Sequence, residues 1–235
     1  MNKKNIGQII AIGGGAFGSS NPNHYKISKY IINQSLKSSP NICFIPTATG
    51  EDASYIKNFN LAFHQLKCHS SVLSFFSRTP DLESLLLIQD IIYVGGGNTK
   101  SMLAVWKEWG LDKLLLQSYQ KGAILCGVSA GAICWFEKGV TDSWESNLNV
   151  IDCLGFLSGA CCPHYDGEKD RKPAVKDFVN RGTVDICYAI DDGAALHYKN
   201  GSIYKAINFG NSKAAYKVFN NNQKFIEKRI ETITI

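Results

Sequence analysis

A short glycine-rich stretch that follows a buried apolar run constrains this chain most strongly. The run Ala123-Ile124-Leu125 leads into Cys126-Gly127-Val128-Ser129-Ala130-Gly131-Ala132, which contains Gly-x-Ser-x-Gly. Small flanking residues let a strand turn sharply into a helix, and such a turn holds the serine hydroxyl out at the carboxyl end of a sheet. The pattern predicts a nucleophile elbow with Ser129 at its tip. The alternative is an ordinary Gly/Ala-rich turn that contains a serine.

The composition favours one α/β domain spanning residues 1–235. The chain is 45% apolar and 19% charged, so it can bury a substantial core. Its net charge of +5 comes from scattered lysines, which predicts no nucleic-acid partner. No apolar run is long enough to cross a membrane, and no signal peptide is expected at the start. Eight cysteines without a Cys-x-x-Cys pair are typical of reduced, buried thiols, and they predict a cytoplasmic protein.

Apolar runs of strand length alternate with segments of helical periodicity along the first half of the chain. The predicted strands are 9–12, 42–45, 71–76, 90–94 and 123–127, and the predicted helices are 24–36, 53–66, 82–88, 98–106 and 111–119. This alternation indicates a mostly parallel sheet with helices on both faces, a three-layer sandwich.

The pattern changes after the elbow. Strand and loop are predicted over 154–165, a helix over 173–179, strands over 187–190, 194–198 and 202–207, and a strand or hairpin with a polar tail over 214–234. Asn-Gly between two alternating runs indicates a hairpin. We therefore expect antiparallel strands near the C-terminus.

The opening stretch Gly13-Gly14-Gly15-Ala16-Phe17-Gly18 formally matches a dinucleotide-binding fingerprint. However, Asn21-Pro22-Asn23 follows, so no helix is expected to open directly on the glycines. The next strand ends in Pro46 rather than in a ribose-binding carboxylate. We predict no nucleotide here, and the serine chemistry expected of the elbow needs no metal or cofactor.

A serine nucleophile needs a base and an orienting carboxylate close to it. Among the five histidines, His164 is the candidate base because it lies where an apolar segment meets a polar loop. His24, His64 and His69 are expected at the surface or at helix ends, and His197 on an edge strand. Two positions compete for the carboxylate: Asp192 follows a predicted strand end, Asp142 follows the elbow helix, and Asp191 is a third possibility.

An oxyanion hole would use backbone N–H groups at converging strand ends. The candidates are the N–H of Ala130, the residue after the nucleophile, and an N–H from Gly96 or Gly97 in the glycine turn after the fourth strand. Glycine lets the backbone approach a reacting carbonyl closely.

With these residues assembled, the chain resembles the peptidase E family, the α-aspartyl dipeptidases, and the wider group that includes cyanophycinases. The matching stretches are 127–132, Val94-Gly95-Gly96-Gly97-Asn98-Thr99, Pro163-His164 with its following aromatic, and Asp192-Gly193. The openings Gly13–Gly15 and Pro46-Thr47-Ala48 also fit, so the resemblance covers about residues 8–210. It implies a class I glutamine-amidotransferase-like, flavodoxin-like fold. It also implies a serine peptidase with Ser129 as nucleophile and His164 as base.

The resemblance also implies a substrate class. The dipeptidases cleave after an amino-terminal aspartate, which requires a cation, and Arg171 is the candidate because arginine binds carboxylates bidentately. Asn98 is the second candidate for substrate binding. At the position of Asp192 the family typically has glutamate, one methylene longer, so Asp142 remains the alternative carboxylate. The expected partner is a small peptide, and a monomer or a homodimer is expected. The competing functions are a cyanophycinase-type isopeptidase and a catalytically silent binding protein.

Overall fold

The computed structural model describes residues 7–17, 24–145 and 147–235. Its strands are β1 Gln8–Ile12, β2 Asn41–Ile45, β3 His69–Val72, β4 Ile91–Val94, β5 Ile124–Val128, β6 Phe136–Thr141, β7 Asn149–Asp152, β8 Leu157–Cys162, β9 Ile186–Ile190, β10 Ala194–Lys199, β11 Ser202–Asn208, β12 Ala215–Asn221, β13 Lys224–Ile230 and β14 Thr232–Thr234. Its α-helices are α1 His24–Ile32, α2 Ala53–Gln65, α3 Leu82–Leu86, α4 Thr99–Glu108, α5 Leu111–Gln120, α6 Ala130–Ile133 and α7 Arg171–Asn180.

The larger of two sheets has eight strands in the order β14-β11-β10-β1-β5-β4-β2-β3. The five strands from β1 to β3 in this order are mutually parallel, whereas β10 runs antiparallel to β1 and β11 antiparallel to β10. The carboxyl ends of the parallel strands therefore meet at one edge, where ligand sites form in such sheets. The elbow lies at this edge because β5 ends at Val128.

Alternate residues of the parallel strands bury against opposite faces of this sheet. Ile10 and Ile12 of β1 belong to the core that includes α1 and α2 residues, whereas Ile9 and Ala11 belong to the core of Met102 and the other α4 and α5 residues. Since side chains alternate across a strand, helices on both faces account for strands that are buried throughout. The predicted three-layer sandwich with a mostly parallel sheet is confirmed.

A second sheet of six strands, in the order β13-β12-β9-β8-β6-β7, was not expected from the sequence. Phe136, Leu157 and Cys161 of this sheet join the core on the α4 and α5 side of the larger sheet. Helix α7 covers its other face through Val175 and Val179. This sheet brings the segment that follows β8 to the edge where the elbow lies.

Several predicted boundaries differ from the structure. The first helix ends at Ile32 instead of residue 36, and Leu36 is almost fully exposed. The third strand covers His69–Val72 rather than 71–76, because the Glu51 side chain accepts hydrogen bonds from the backbone of Phe75 and Phe76 and holds that segment as a loop. The predicted hairpin forms between β10 and β11, and 214–234 forms a hairpin followed by β14.

None of the helices in the described ranges is long and apolar enough to cross a membrane. Within the same ranges, no cluster of three or more histidine, cysteine, aspartate or glutamate side chains has the arrangement of a metal site.

Candidate active site

Ser129 has the backbone geometry of a nucleophile elbow. Its φ of 58° and ψ of −114° lie in a region that non-glycine residues rarely adopt, which costs on the order of 1–3 kcal/mol. The residue stands between the end of β5 and the first residue of α6, and its carbonyl accepts hydrogen bonds from Ala132 and Ile133. The strain is maintained by this short helix, and such strain clusters at functional sites.

The two glycines of Gly-x-Ser-x-Gly allow the elbow to form by close backbone approach. A Cβ on Gly127 would lie 2.4 Å from the Gly131 carbonyl oxygen, and a Cβ on Gly131 would lie 2.2 Å from the Val94 carbonyl oxygen. Real Cβ atoms do not come this close to another heavy atom. The residue types at 127 and 131 are therefore fixed by the packing of the strand-to-helix turn on β4.

His164 and Asp192 form a hydrogen-bonded pair at the same edge of the larger sheet. Nδ1 of His164 lies 2.6 Å from Oδ1 of Asp192, and the two side chains are 22% and 39% exposed. Since a carboxylate only accepts, the imidazole donates through Nδ1, which leaves Nε2 free to accept a proton. His164 also has a positive φ of 52°. This is the arrangement of a general base with its orienting carboxylate.

Three consecutive residues, the last of β1 and the two that follow it, connect the elbow to this pair. The Ile12 carbonyl accepts from the Ser129 N–H at 3.1 Å, and the Gly13 carbonyl accepts from the His164 N–H at 3.3 Å. Gly14 forms a β-bridge with Asp192, and its carbonyl accepts from the N–H of Gly193, the residue after Asp192. Because consecutive Cα atoms are about 3.8 Å apart, one short segment holds the backbones of all three residues near one another. The opening glycines thus position the site; Gly18 and residues 21–23 lie outside the described residues.

The candidate oxyanion donors lie beside the elbow. A Cβ on Gly96 would lie 3.2 Å from the Ser129 Cβ and 3.8 Å from its Oγ, so the glycine turn borders the serine. The Gly96 N–H is within 3.4 Å of the Tyr55 hydroxyl, and burial raises the pKa of Tyr55 to about 12. Ala130 opens α6, and the first N–H groups of a helix have no partner within it. Ala130 is thus better placed than Gly96 to serve an incoming oxygen.

The other predicted site residues lie elsewhere or are engaged with the protein itself. Asp142 is largely exposed and approaches Arg171 at 3.8 Å, whereas Asp192 is the carboxylate bonded to His164. Arg171 is 2% exposed, and its guanidinium donates to Glu168 at 2.7 Å and to the Val140 carbonyl at 3.0 Å. A buried guanidinium with these partners favours a structural role over the predicted contact with substrate.

Asn98 caps helix α4 rather than projecting into open space. Its Oδ1 accepts from the Ser101 N–H at 2.9 Å, and its Nδ2 donates to the Ser143 carbonyl at 2.8 Å. The side chain therefore fixes the loop after β6 against the glycine turn. Its predicted role in substrate binding would require these bonds to be given up.

Two residues next to the His164–Asp192 pair, Asp166 and Lys213, could not be recognised from the sequence around them. Asp166 follows His164 by two positions, and Lys213 lies in the turn after β11, yet the two side chains meet at 2.5 Å beside Asp192. Their pairing depends on contacts between distant segments, so spacing along the chain does not reveal it. His197, expected at an edge, is instead fully buried in β10 between β1 and β11, where it contacts Tyr30 and Gln8.

A sequence model of peptidase family S51 matches residues 9–206. The chain belongs to this family. The resemblance predicted from the sequence is confirmed at this level, because the match covers the elbow, the glycine turn, His164 and Asp192.

Relatives of this S51 chain carry peptidase names. The uncharacterized peptidase YgaJ of Bacillus subtilis (strain 168) is 48% identical over 212 residues, which cover 90% of this chain and 91% of that protein. Among solved structures, a peptidase from an acI-B1 Actinobacterium has a TM-score of 0.73 at 17% identity and covers 97% of this chain and 96% of its own. A Listeria monocytogenes EGD-e protein provisionally assigned to peptidase E has a TM-score of 0.62 at 20% identity over 96% and 100%. Both structures share the fold.

Proposed function

We propose that this protein is a serine-type peptidase that hydrolyses small peptides with Ser129, His164 and Asp192 as its catalytic residues. The observation that carries the proposal is the anchoring of a strained serine and a histidine–aspartate pair on three consecutive residues, Ile12, Gly13 and Gly14. An ordinary glycine-rich turn does not require a strained Ser129 whose backbone is bonded to the same short segment as that of a paired histidine. The S51 family match and the peptidase relatives support the same reaction class.

We assign each residue a role. Oγ of Ser129 attacks the scissile carbonyl carbon while Nε2 of His164 takes the hydroxyl proton and then passes it to the leaving amine. Asp192 holds Nδ1 of His164 and stabilises the imidazolium that forms. Water then hydrolyses the acyl-enzyme by the same residues in reverse.

The tetrahedral intermediate carries a negative oxygen that needs hydrogen-bond donors. We assign the N–H groups of Ala130 and Gly97 to this role, since Gly96 already faces the Tyr55 hydroxyl. Each such donor is typically worth about 3 kcal/mol of transition-state stabilisation.

Dipeptides with an amino-terminal aspartate are the first substrates to test. Arg171, the predicted carboxylate-binding cation, is bonded inside the protein. Specificity for aspartate would therefore have to come from another donor.

The experiment compares wild-type protein with Ser129→Ala on Asp-X dipeptides, other dipeptides, longer peptides and cyanophycin. Loss of a catalytic serine typically lowers turnover by about 10⁴- to 10⁶-fold. Hydrolysis that survives Ser129→Ala would refute the assignment. Cleavage of cyanophycin in preference to dipeptides would assign the isopeptidase activity instead.

A further inference from the structure

The carboxylate of Asp166 joins the histidine loop to the aspartate loop of the active site. Its Oδ1 accepts from the Asp192 backbone N–H at 2.9 Å, and its Oδ2 lies 2.5 Å from Nζ of Lys213. The Asp192 carboxylate in turn packs against Gly167, where a Cβ would lie 2.2 Å from Oδ2. Asp166 therefore bonds the backbone of the residue whose side chain orients His164.

Lys213 is the cation at the centre of three aspartates. It pairs with Asp166 and interacts electrostatically with Asp191 and Asp192, and the hydrogen bond to Asp166 is the main cause of its raised pKa. Asp191 is buried beside them, with its Oδ2 accepting from Ala214, and burial followed by the charge of Asp166 raises its pKa. The other ionisable groups around this cluster are His164, Lys172, Tyr216, Glu227 and Arg229.

We propose that Asp166 and Lys213 form a positioning pair for the catalytic couple, in which Asp166 fixes the Asp192 backbone and Lys213 balances the negative charge around it. The proposal rests on the proposed function, because it concerns the same histidine–aspartate couple. Neither residue touches the reacting atoms. Asp166 acts through Asp192, and Lys213 acts through Asp166 and through its charge.

Geometry and charge can be separated by substitution at Asp166. Asp166→Asn keeps an oxygen that accepts from the Asp192 N–H but removes the negative charge, whereas Asp166→Ala removes both. We expect Asp166→Ala to slow reaction of Ser129 by about 10- to 100-fold and Asp166→Asn to slow it less. The probe is a rhodamine fluorophosphonate, and the readout is its second-order rate of enzyme inactivation, which requires no known substrate.

The charge of the pair appears in the pH dependence of that rate. Removing a negative charge beside the couple disfavours the protonated imidazole, so Asp166→Asn moves the acid limb of the profile to lower pH. Lys213→Met removes a positive charge and moves the limb to higher pH. A unit charge at a partly solvated site typically moves an ionisation by roughly 0.5 pH unit. The double variant D166N/K213M returns the limb close to its wild-type position.

The chain offers a matched control at the other end of the sheet. Asp90 accepts a backbone N–H from Asn41 at 2.9 Å and pairs with Lys37 at 2.9 Å, the same arrangement away from the active site. Asp90→Asn and Lys37→Met are expected to leave the pH profile unchanged.

Opposite shifts for Asp166→Asn and Lys213→Met, with cancellation in the double variant, support the positioning pair. The proposal is overturned if both variants behave like the Asp90 and Lys37 controls, or if both shift the limb in the same direction, as a general loosening of the site would do. Failure of the proposed function is recognised separately. In that case wild-type protein gives no adduct at Ser129 even though it is folded.

Discussion

Substitution of Gly14 by alanine is the sharpest available perturbation of the proposed couple, since the substituted residue bears no chemistry of its own. A Cβ at this position would lie 1.8 Å from Oδ1 of Asp192 and 2.7 Å from Nδ1 of His164. Atoms at these separations repel strongly, so the carboxylate must move by roughly 1 Å or more. Its 2.6 Å hydrogen bond to His164 would then be broken or badly distorted.

The expected cost to catalysis follows from that displacement. A misplacement of about 1 Å can cost about 10²-fold in rate, and loss of correct orientation by the carboxylate can cost about 10⁴-fold. We therefore expect Gly14→Ala to react with a fluorophosphonate at least about 10²-fold more slowly than wild type, while circular dichroism shows a folded protein.

Gly110→Ala is the control for backbone substitution alone. Gly110 lies in the turn between α4 and α5 with a φ of 64°, and a Cβ there would meet nothing within 4 Å. Alanine in this left-handed conformation costs roughly 1–2 kcal/mol of stability, and we expect no change in labelling rate. If Gly14→Ala labels within about threefold of wild type, the His164–Asp192 pair does not orient the base in the way described.

Three further outcomes follow from buried or strained groups. Arg171→Met is expected to lower the free energy of unfolding by about 1–3 kcal/mol in urea titrations, because it leaves the buried Val140 carbonyl without its donor. A higher KM at unchanged stability would instead indicate contact with substrate. Burial lowers the pKa of His197 to about 4. The buried neutral imidazole therefore contributes its full stabilisation above pH 6.5, and up to roughly 3 kcal/mol of the free energy of unfolding is lost as the pH falls towards 4. His197→Gln should flatten that decline in melting curves. Ser129→Gly should raise the melting temperature while abolishing activity, since glycine relieves about 1 kcal/mol or more of strain, and a lower melting temperature would argue against stored strain.

Patterns local to a segment predicted the parts of the fold that depend on local physics. The buried parallel strands carry near-continuous apolar runs, such as Ile42–Ile45 and Ile91–Val94, and their positions agree with the structure. The Asn-Gly turn at 200–201 predicted the β10–β11 hairpin because the turn residues themselves carry the required positive φ. The elbow was recognisable because its own glycines, Gly127 and Gly131, permit the close backbone approach of the turn.

The second sheet could not be predicted in this way. Strands β6 and β8 pair in parallel, and β9 pairs with β12, so each relies on a partner far along the chain. A register shift between Phe136 and Lys138 in the β6–β8 pair also breaks the alternation that marks a strand. Helix ends were misjudged where apolar residues continue past the last turn, as at the exposed Leu36.

In the candidate site, too, some residues could be identified from their local sequence, and others depend on tertiary packing. Ser129 and His164 were identifiable from their immediate neighbours, but the choice between Asp142 and Asp192 depends on which strand end reaches His164. Arg171 was predicted to bind a substrate carboxylate, yet it is buried and bonded to Glu168. Burial and pairing of that kind are set by tertiary packing.

The most direct test of the central claim is peptide mapping by mass spectrometry after reaction with a fluorophosphonate. We predict one adduct on the peptide that contains Ser129, absent from Ser129→Ala and formed much more slowly in His164→Asn. An adduct at another residue, or peptide hydrolysis by wild-type protein that continues after Ser129→Ala, would contradict it.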